Sequence, residues 1–288
     1  IRRMTGSRGA GPRLGASWEG RPPALLASLT DVVDVLEILP DCLVGPGGDI
    51  APDRLAELDA MAADTPVTYH GIGLSLGSVD GWNAAYLRLL DRLWAWREPL
   101  WHSEHLGFTT VGGSFLGAMP ALPCTREAAT LVVDRVRTVQ RSYAAPFLLE
   151  HVASPLTRPD EWSLARFLNT IAAESGSGIL LDLHNLECDA DNGLLDLPAF
   201  LGELDWTHVR EIHVAGGVWQ GGYHLDVHAR TIADSTLDLL DLALDRAPAL
   251  DLVVYEVLAA AVPSLGVDAI VGELTRVRER LDTRVRAA

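Results

Sequence analysis

Lysine is absent from this chain: all 23 basic residues are Arg, they face 39 acids, and the formal net charge is −16. So acidic a surface repels a phosphate backbone, which argues against nucleic acid as a partner. Chemistry that depends on a catalytic lysine is excluded as well. Cysteine is scarce, with Cys42, Cys124 and Cys188 widely spaced and no CxxC. That gives no sign of a disulfide framework or a thiolate zinc site, and a reducing cytoplasm is the simplest setting. No apolar run reaches membrane-spanning length, so no membrane association is expected. The first residues carry Arg2, Arg3 and Arg8 among Gly and Ser without an apolar stretch, which is not a secretory signal. Residues 1–11 read as a disordered leader or an expression remnant. No glycine fingerprint follows the first apolar run, and no repeat of solenoid length is evident.

What remains is an ordinary globular composition, 48% hydrophobic and 22% charged, in a strict alternation. Short apolar runs at Pro12–Trp18, Asp31–Leu39, Pro66–His70, Leu100–His105, Pro146–His151, Gly178–Asn185, Val209–His213 and Leu252–Glu256 read as strands. Between them lie stretches with helical spacing, expected near Pro22–Ser28, from Asp49 or Pro52 to Ala63, and over Asp80–Glu98, Arg126–Tyr143, Pro159–Glu174, Asp196–Leu204, Ile232–Arg246 and Gly266–Arg284. Thr125 is the expected N-cap of its helix, with Glu127 in the first turn. The segments from Gly71 to Ser78, from Leu106 to Pro123 and from Ala215 to Arg230 read as loops. Strands alternating with helices imply parallel strands and crossover helices. Eight such units in about 270 residues are the size of an α/β protein of the (β/α)8 barrel type.

The strand ends carry the chemistry. They offer His70, His105, Glu150, Asp182 with Asn185, His213, Asp226 with His228, and Glu256. A barrel brings such ends to one face. A lone His or carboxylate at a strand end is more often a hydrogen-bonded or capping residue, so the joint pattern carries the inference. Four His, four carboxylates and an amide are too many ligands for one ion, and this mixed set suits zinc, iron or manganese. Carboxylates can bridge two or three ions. Without cations, four buried carboxylates would repel one another and take up protons. Glu104, His151 and His184 each lie beside a proposed ligand and are candidates to orient it.

The ordered set His, His, Glu, Asp-x-x-Asn, His, Asp-x-His, Glu resembles the xylose-isomerase-like barrel superfamily, which includes endonuclease IV. The local words resemble more closely the multinuclear non-heme iron-dependent oxidases (MNIO), which modify ribosomally made peptides. These words are His70–Ser78 (HGIGLSLGS), Ser103–Phe108 (SEHLGF), Leu149–Val152 (LEHV), Leu181–Asn185 (LDLHN), Ile212–Gly217 (IHVAGG) and Asp226–His228 (DVH). That family commonly has Ser-Asp-His where this chain has Ser103-Glu104-His105, and Glu-Asn where it has Glu150-His151. It often has Asp-Val-Asn-Asn in place of Asp182-Leu183-His184-Asn185, and a second His at the position of Gly217.

The resemblance implies a single TIM-barrel metal-binding domain over residues 12–288, with the nine residues above as ligands of two or three iron ions of mixed Fe(II)/Fe(III) state. Dioxygen would be the co-substrate, and oxidation would fall next to a substrate heteroatom, often a Cys thiolate. The substrate would be a precursor peptide (RiPP biosynthesis), held with the help of a separate small leader-binding protein. The alternative is a Zn- or Mn-dependent hydrolase or isomerase of the same superfamily, against which the acidic charge and the missing Lys both weigh. A third reading, a non-catalytic peptide-binding subunit, leaves the retained carboxylate cluster without a use.

Overall fold

A computed structural model describes residues 11–20, 23–45, 50–154, 156 and 160–287. Most of the stretch read as a leader, and the expected helix starts at Pro22 and Pro159, lie outside the described residues.

The strands in chain order are β1 (Arg13–Trp18), β2 (Val35–Ile38), β3 (Val67–Gly71), β4 (His102–His105), β5 (Thr110–Val111), β6 (Ser114–Phe115), β7 (Phe147–Glu150), β8 (Gly178–Asp182), β9 (Val209–Val214), β10 (Val218–Gln220), β11 (Tyr223–Leu225) and β12 (Leu252–Tyr255). The helices are α1 (Pro23–Thr30), α2 (Pro52–Met61), α3 (Ala84–Trp96), α4 (Arg126–Ser142), α5 (Leu164–Ser175), α6 (Leu183–Asp191), α7 (Leu197–Glu203), α8 (Asp234–Arg246), α9 (Val262–Leu265) and α10 (Val267–Ala287). Eight strands close into a barrel in the order β1-β2-β3-β4-β7-β8-β9-β12, and every neighbouring pair is parallel.

Strand periodicity sorts the barrel into layers, because every second side chain faces inward. Val35, Trp101, Leu148, Leu180, Leu252 and Val254 form an apolar cluster of their own inside the barrel. The larger core, including Leu36, Ile38, Leu149, Leu181, Ile212, Val253 and Tyr255, packs the outer faces of the strands against the helices. Two residues beyond the inner apolar layer, on the same strand faces, come Glu37, Glu150, Asp182 and Glu256. The apolar plug therefore forms the floor beneath a polar layer at the C-terminal ends of the strands.

Capping sets several helix starts. Thr125 accepts a hydrogen bond from the Ala128 amide, as expected, and Asn83 and Ser163 do the same for Tyr86 and Arg166. Since Asn83 is the cap, α3 begins at Ala84 rather than at Asp80. Ser163 likewise starts α5 at Leu164, inside the expected range.

Two expected loops contain hairpins. β5 pairs with β6 through Gly112-Gly113, and β10 pairs with β11 through Gly221-Gly222, all four glycines having positive φ. Consecutive positive φ values are what a two-residue turn matching the strand twist requires. Both hairpins follow the C-terminal end of a barrel strand, so they rise on the face that carries the polar layer.

The main departure from the sequence reading is α6. The segment after β8 turns directly into a helix capped by Asp182, whose Oδ1 accepts from the Asn185 amide at 2.7 Å. Asn185 is thus a first-turn helical residue, not the tail of a strand.

Candidate metal centre

Each of the nine proposed ligands has a contact that draws it to the C-terminal mouth of the barrel. Glu150 lies between two imidazoles: its Oε2 is 3.0 Å from His70 Nε2 and 3.0 Å from His105 Nε2. Its Oε1 is 3.4 Å from Asn185 Nδ2 and 3.9 Å from His213 Nδ1. Glu256 Oε2 contacts His213 Nδ1 at 2.9 Å and His228 Nδ1 at 3.2 Å. His228 Nε2 faces Asp226 at 2.5 Å and Asp182 Oδ2 at 3.8 Å. His70, Glu150 and His213 place ligand atoms within 4.8 Å of one another, and so do Glu150, Asp182, His213 and Glu256. Glu150 and His213 are common to both groups.

The imidazoles are held from behind. His70 Nδ1 bonds Ser103 Oγ at 2.9 Å, and His105 Nδ1 bonds the Gly71 carbonyl at 3.0 Å. His228 adopts φ of +41°, a left-handed conformation that costs a side-chain-bearing residue roughly 1–3 kcal/mol and recurs at functional sites.

Electrostatics follow from depth. Burial works against the charged form of Glu150, but His105 and His70 outweigh it and hold its pKa near 2. Burial alone would lower His70, yet Glu150 and Glu37 raise it to about 9. For His213, Glu37 and Glu256 likewise overcome burial and raise it well above its ordinary value. Asp182 is raised to about 8, by burial first and also by Glu150, against the pull of His228. Without cations, the site retains its charge balance by holding protons.

Above the cluster opens a cavity of about 250 Å³, lined among others by Asp41, Cys42, His70, His105, His228 and Glu256. Another, of about 210 Å³, sits near the N-terminal ends of β7 and β8 beside Trp101 and Arg210, away from this cluster.

The family described as the RiPP precursor modification enzyme MbnB/TglH/ChrH matches residues 15–280. The chain belongs to this family. A UPF0276 protein of Anaeromyxobacter sp. (strain Fw109-5) is 36% identical over 208 residues, 72% of each chain. One of Caulobacter vibrioides is 32% identical over 230 residues, 78% of this chain and 81% of that one. Among solved structures, a xylose isomerase domain containing protein of Salmonella typhimurium superposes with a TM-score of 0.65 at 13% identity, covering 96% of this chain and 99% of that one. Endonuclease IV of Thermus thermophilus gives 0.58 at 15% identity, covering 94% of this chain and 100% of that one. At these identities the structural matches speak for the fold, a xylose-isomerase-like TIM barrel.

Within this MbnB/TglH/ChrH barrel, the three flanking candidates behave differently. Glu104 bonds the Tyr86 hydroxyl at 2.8 Å, His102 Nε2 at 3.1 Å and the Leu74 amide at 3.3 Å, so its hydrogen bonds brace α3, the start of β4 and the segment after β3 rather than a proposed ligand. His151 reaches the cluster through its carbonyl, which accepts from Asn185 Nδ2 at 3.3 Å. His184 lies instead in a separate group with Cys188 and His224.

Two further carboxylates belong beneath the cluster. Glu37 Oε1 lies 3.2 Å from His213 Nε2, opposite the face that His213 turns to Glu256. Glu211 is 4.0 Å from the same nitrogen and accepts from Trp101 Nε1 at 2.7 Å. The signal for Glu37 is an acid inside the apolar run Val35–Leu39, which is costly in a buried strand unless something pairs with it. Its spacing two residues after Val35 puts it on the inner face. Glu211, two residues before His213 in β9, shares the inner strand face with it.

Burial and the neighbouring Glu37 raise Glu211 to about 8. The folded chain therefore keeps a proton that the unfolded chain gives up above about 4.5. This contribution to stability is complete below the unfolded value and is lost as pH rises towards 8. In chelator-treated protein, Glu211→Gln should be stable to a similar extent as wild type at pH 5 and more stable than it by a few kcal/mol at pH 8. Urea denaturation at the two pH values reads this directly, and an unchanged gap between the proteins would contradict it.

Proposed function

We propose that the chain is a multinuclear iron-dependent, O2-using oxidase that modifies a ribosomally synthesised precursor peptide. The observation that carries the metal part is the convergence of buried nitrogen and oxygen donors at the barrel mouth, among which Asp182 Oδ2 and Asn185 Oδ1 have no hydrogen-bond partner. Buried polar atoms are ordinarily satisfied. These donors come from barrel strands, from α6 and from loops, and are nitrogen and oxygen ligands suited to iron. The donor set fits the group. His70, His105, Glu150, Asp182, Asn185, His213, Asp226, His228 and Glu256 would hold the ions. Family membership supports the peptide part.

Bound iron would supply the activation of dioxygen and the one-electron chemistry that side chains cannot perform. The chain's own residues do the rest. Glu150 and His213, shared between the two groups, tie the donors into one centre. Glu37 takes the far nitrogen of His213 and fixes which nitrogen faces the mouth. Asp182 divides its carboxylate: Oδ1 caps α6 and so places Asn185, while Oδ2 faces the cluster. Leu39, Ile72 and Leu258 give the cavity an apolar wall that excludes water from the reacting carbon. A substrate heteroatom, in this family often a Cys thiolate, would enter past that wall.

The β5–β6 and β10–β11 hairpins offer exposed apolar side chains, Phe115 at 73% and Trp219 at 62%, to an extended peptide passing over the mouth. A separate leader-binding protein and a cytoplasmic setting belong to the same reading. Among the described residues no helix is long and apolar enough to cross a membrane.

The deciding experiment is elemental analysis of protein purified without oxygen, joined to Mössbauer spectroscopy of iron-enriched material and to activity on the precursor peptide with and without oxygen. The expected result is roughly two or three irons per chain, partly ferrous, and modification only when oxygen is present. Full zinc or manganese occupancy, with activity indifferent to oxygen, would replace this reading with a hydrolase or isomerase.

A further inference from the structure

Beside the main cluster, α6 and the β10–β11 hairpin bring together three soft or borderline donors that the proposed oxidase chemistry does not use. His184 and Cys188 are one helical turn apart, so their side chains share a face of α6. Cys188 Sγ is 3.4 Å from His184 Nε2, and both residues are buried. The hairpin lays His224 over them, its ring centroid 5.0 Å from that of His184. One ligand atom from each of the three lies within 4.8 Å of the others.

We propose that His184, Cys188 and His224 form a second metal site, a thiolate and two imidazoles that take a zinc-class divalent ion and pin the β10–β11 hairpin to α6. This proposal stands apart from the iron reading, since it shares no ligand with the nine residues above.

Four details support a built site. His224 Nδ1 is 2.8 Å from Asp191 Oδ2, a carboxylate partner that leaves Nε2 with its lone pair free for a metal. Metal-binding histidines are ordinarily held in this way. The backbone of His224 is fixed as well: its carbonyl accepts from Asn192 Nδ2 and its amide donates to Asn192 Oδ1, both at 2.9 Å. The Trp219 ring stacks on the His224 ring at 5.0 Å and 9°, setting the plane of the imidazole.

Fourth, Gly217 makes the room. A Cβ at that position would meet the Leu225 carbonyl at 2.2 Å and His184 Nε2 at 2.3 Å, so a glycine there lets the hairpin backbone and the imidazole lie side by side.

The donor set selects the ion. A thiolate with two imidazoles disfavours magnesium and calcium and suits zinc. Three protein ligands would leave a fourth tetrahedral position for water, and His224 is partly exposed. Binding would displace the thiol proton to solvent. The site's neighbour is the main centre, the rings of His184 and His228 being 6.0 Å apart. An ion here would hold the hairpin that carries Trp219 and Tyr223 over the mouth.

Cobalt(II) is the probe, because a cobalt–thiolate bond gives a charge-transfer band in the near ultraviolet that nitrogen and oxygen ligands do not give. Chelator-stripped full-length protein is titrated with Co2+, and the bound cobalt is then displaced with Zn2+. Wild type and Cys42→Ala should show the band, and zinc should bleach it. Cys188→Ser and His224→Ala should lose it or need roughly 10-fold more cobalt. His224→Ala alters only a partly exposed hairpin residue, so it guards against a Cys188 variant that fails to fold. A wild-type protein that binds cobalt without the band, or a band that survives Cys188→Ser and disappears in Cys42→Ala, would overturn the proposal.

Discussion

Glu150→Gln is expected to abolish turnover and to strip the protein of metal while leaving the barrel folded. The Glu150 carboxylate contacts His70 and His105 with one oxygen and faces Asn185 and His213 with the other. It belongs to both ligand groups at the mouth. The imidazoles hold it ionised down to about pH 2, so it presents full negative charge throughout the working range. Glutamine keeps the volume but offers one weak oxygen donor and an amide that would meet the imidazoles. Partners that only orient metal ligands already cost about 10–100-fold when lost. A shared ligand should cost more than that upper figure in peptide modification followed by mass spectrometry, together with a fall in iron per chain by elemental analysis. Circular dichroism should stay native, because the change removes a charge from a crowded acidic layer. Normal iron content and turnover in this variant would mean that the centre lies elsewhere.

The position of Glu150 was legible because a parallel barrel makes sequence order and spatial order coincide. With strands at 66–70, 100–105, 146–151 and 178–185, the polar ends have to meet. Glu37 and Glu211 were missed for a related reason. A polar strand end is plain in the sequence, whereas Glu37 sits inside an apolar run and Glu211 two residues before His213 on the same inner face, under the ligands instead of at the mouth. The capped helix α6 was hidden by composition. His184, Asn185, Asp189 and Asp191 are weak helix formers, and the run before them is strand-like, so the chain reads as a strand trailing into a loop. The Asp182 cap overrides that local preference. Cys188 and His224 could not be paired from sequence at all: 36 residues separate them, and the link is a hairpin within a segment read as a loop.

Removing the ions from the whole protein should lower its melting temperature by roughly 10 °C per tightly held ion. An ion present at about 1,000 times its dissociation constant adds about 4 kcal/mol to the native state. In a domain of this size each kcal/mol is worth about 2–4 °C. The effect has a structural cause in the inner polar layer, where Glu37, Glu150, Asp182, Glu211 and Glu256 surround His70, His213 and His228. Metal-free, this layer persists by keeping protons on groups whose pKa is raised, His70 to about 9 and Asp182 to about 8. Those protons must leave before the donors can bind a cation. Metal affinity should therefore strengthen as pH rises towards 9, and binding near neutrality should release protons. Titration calorimetry with anaerobic ferrous iron, in two buffers of different ionisation enthalpy, counts those protons. Thermal melts of the same samples give the stability shift. Protein that melts at one temperature with and without chelator, and binds iron with no proton release, would leave the unpartnered atoms at the barrel mouth without the role assigned to them.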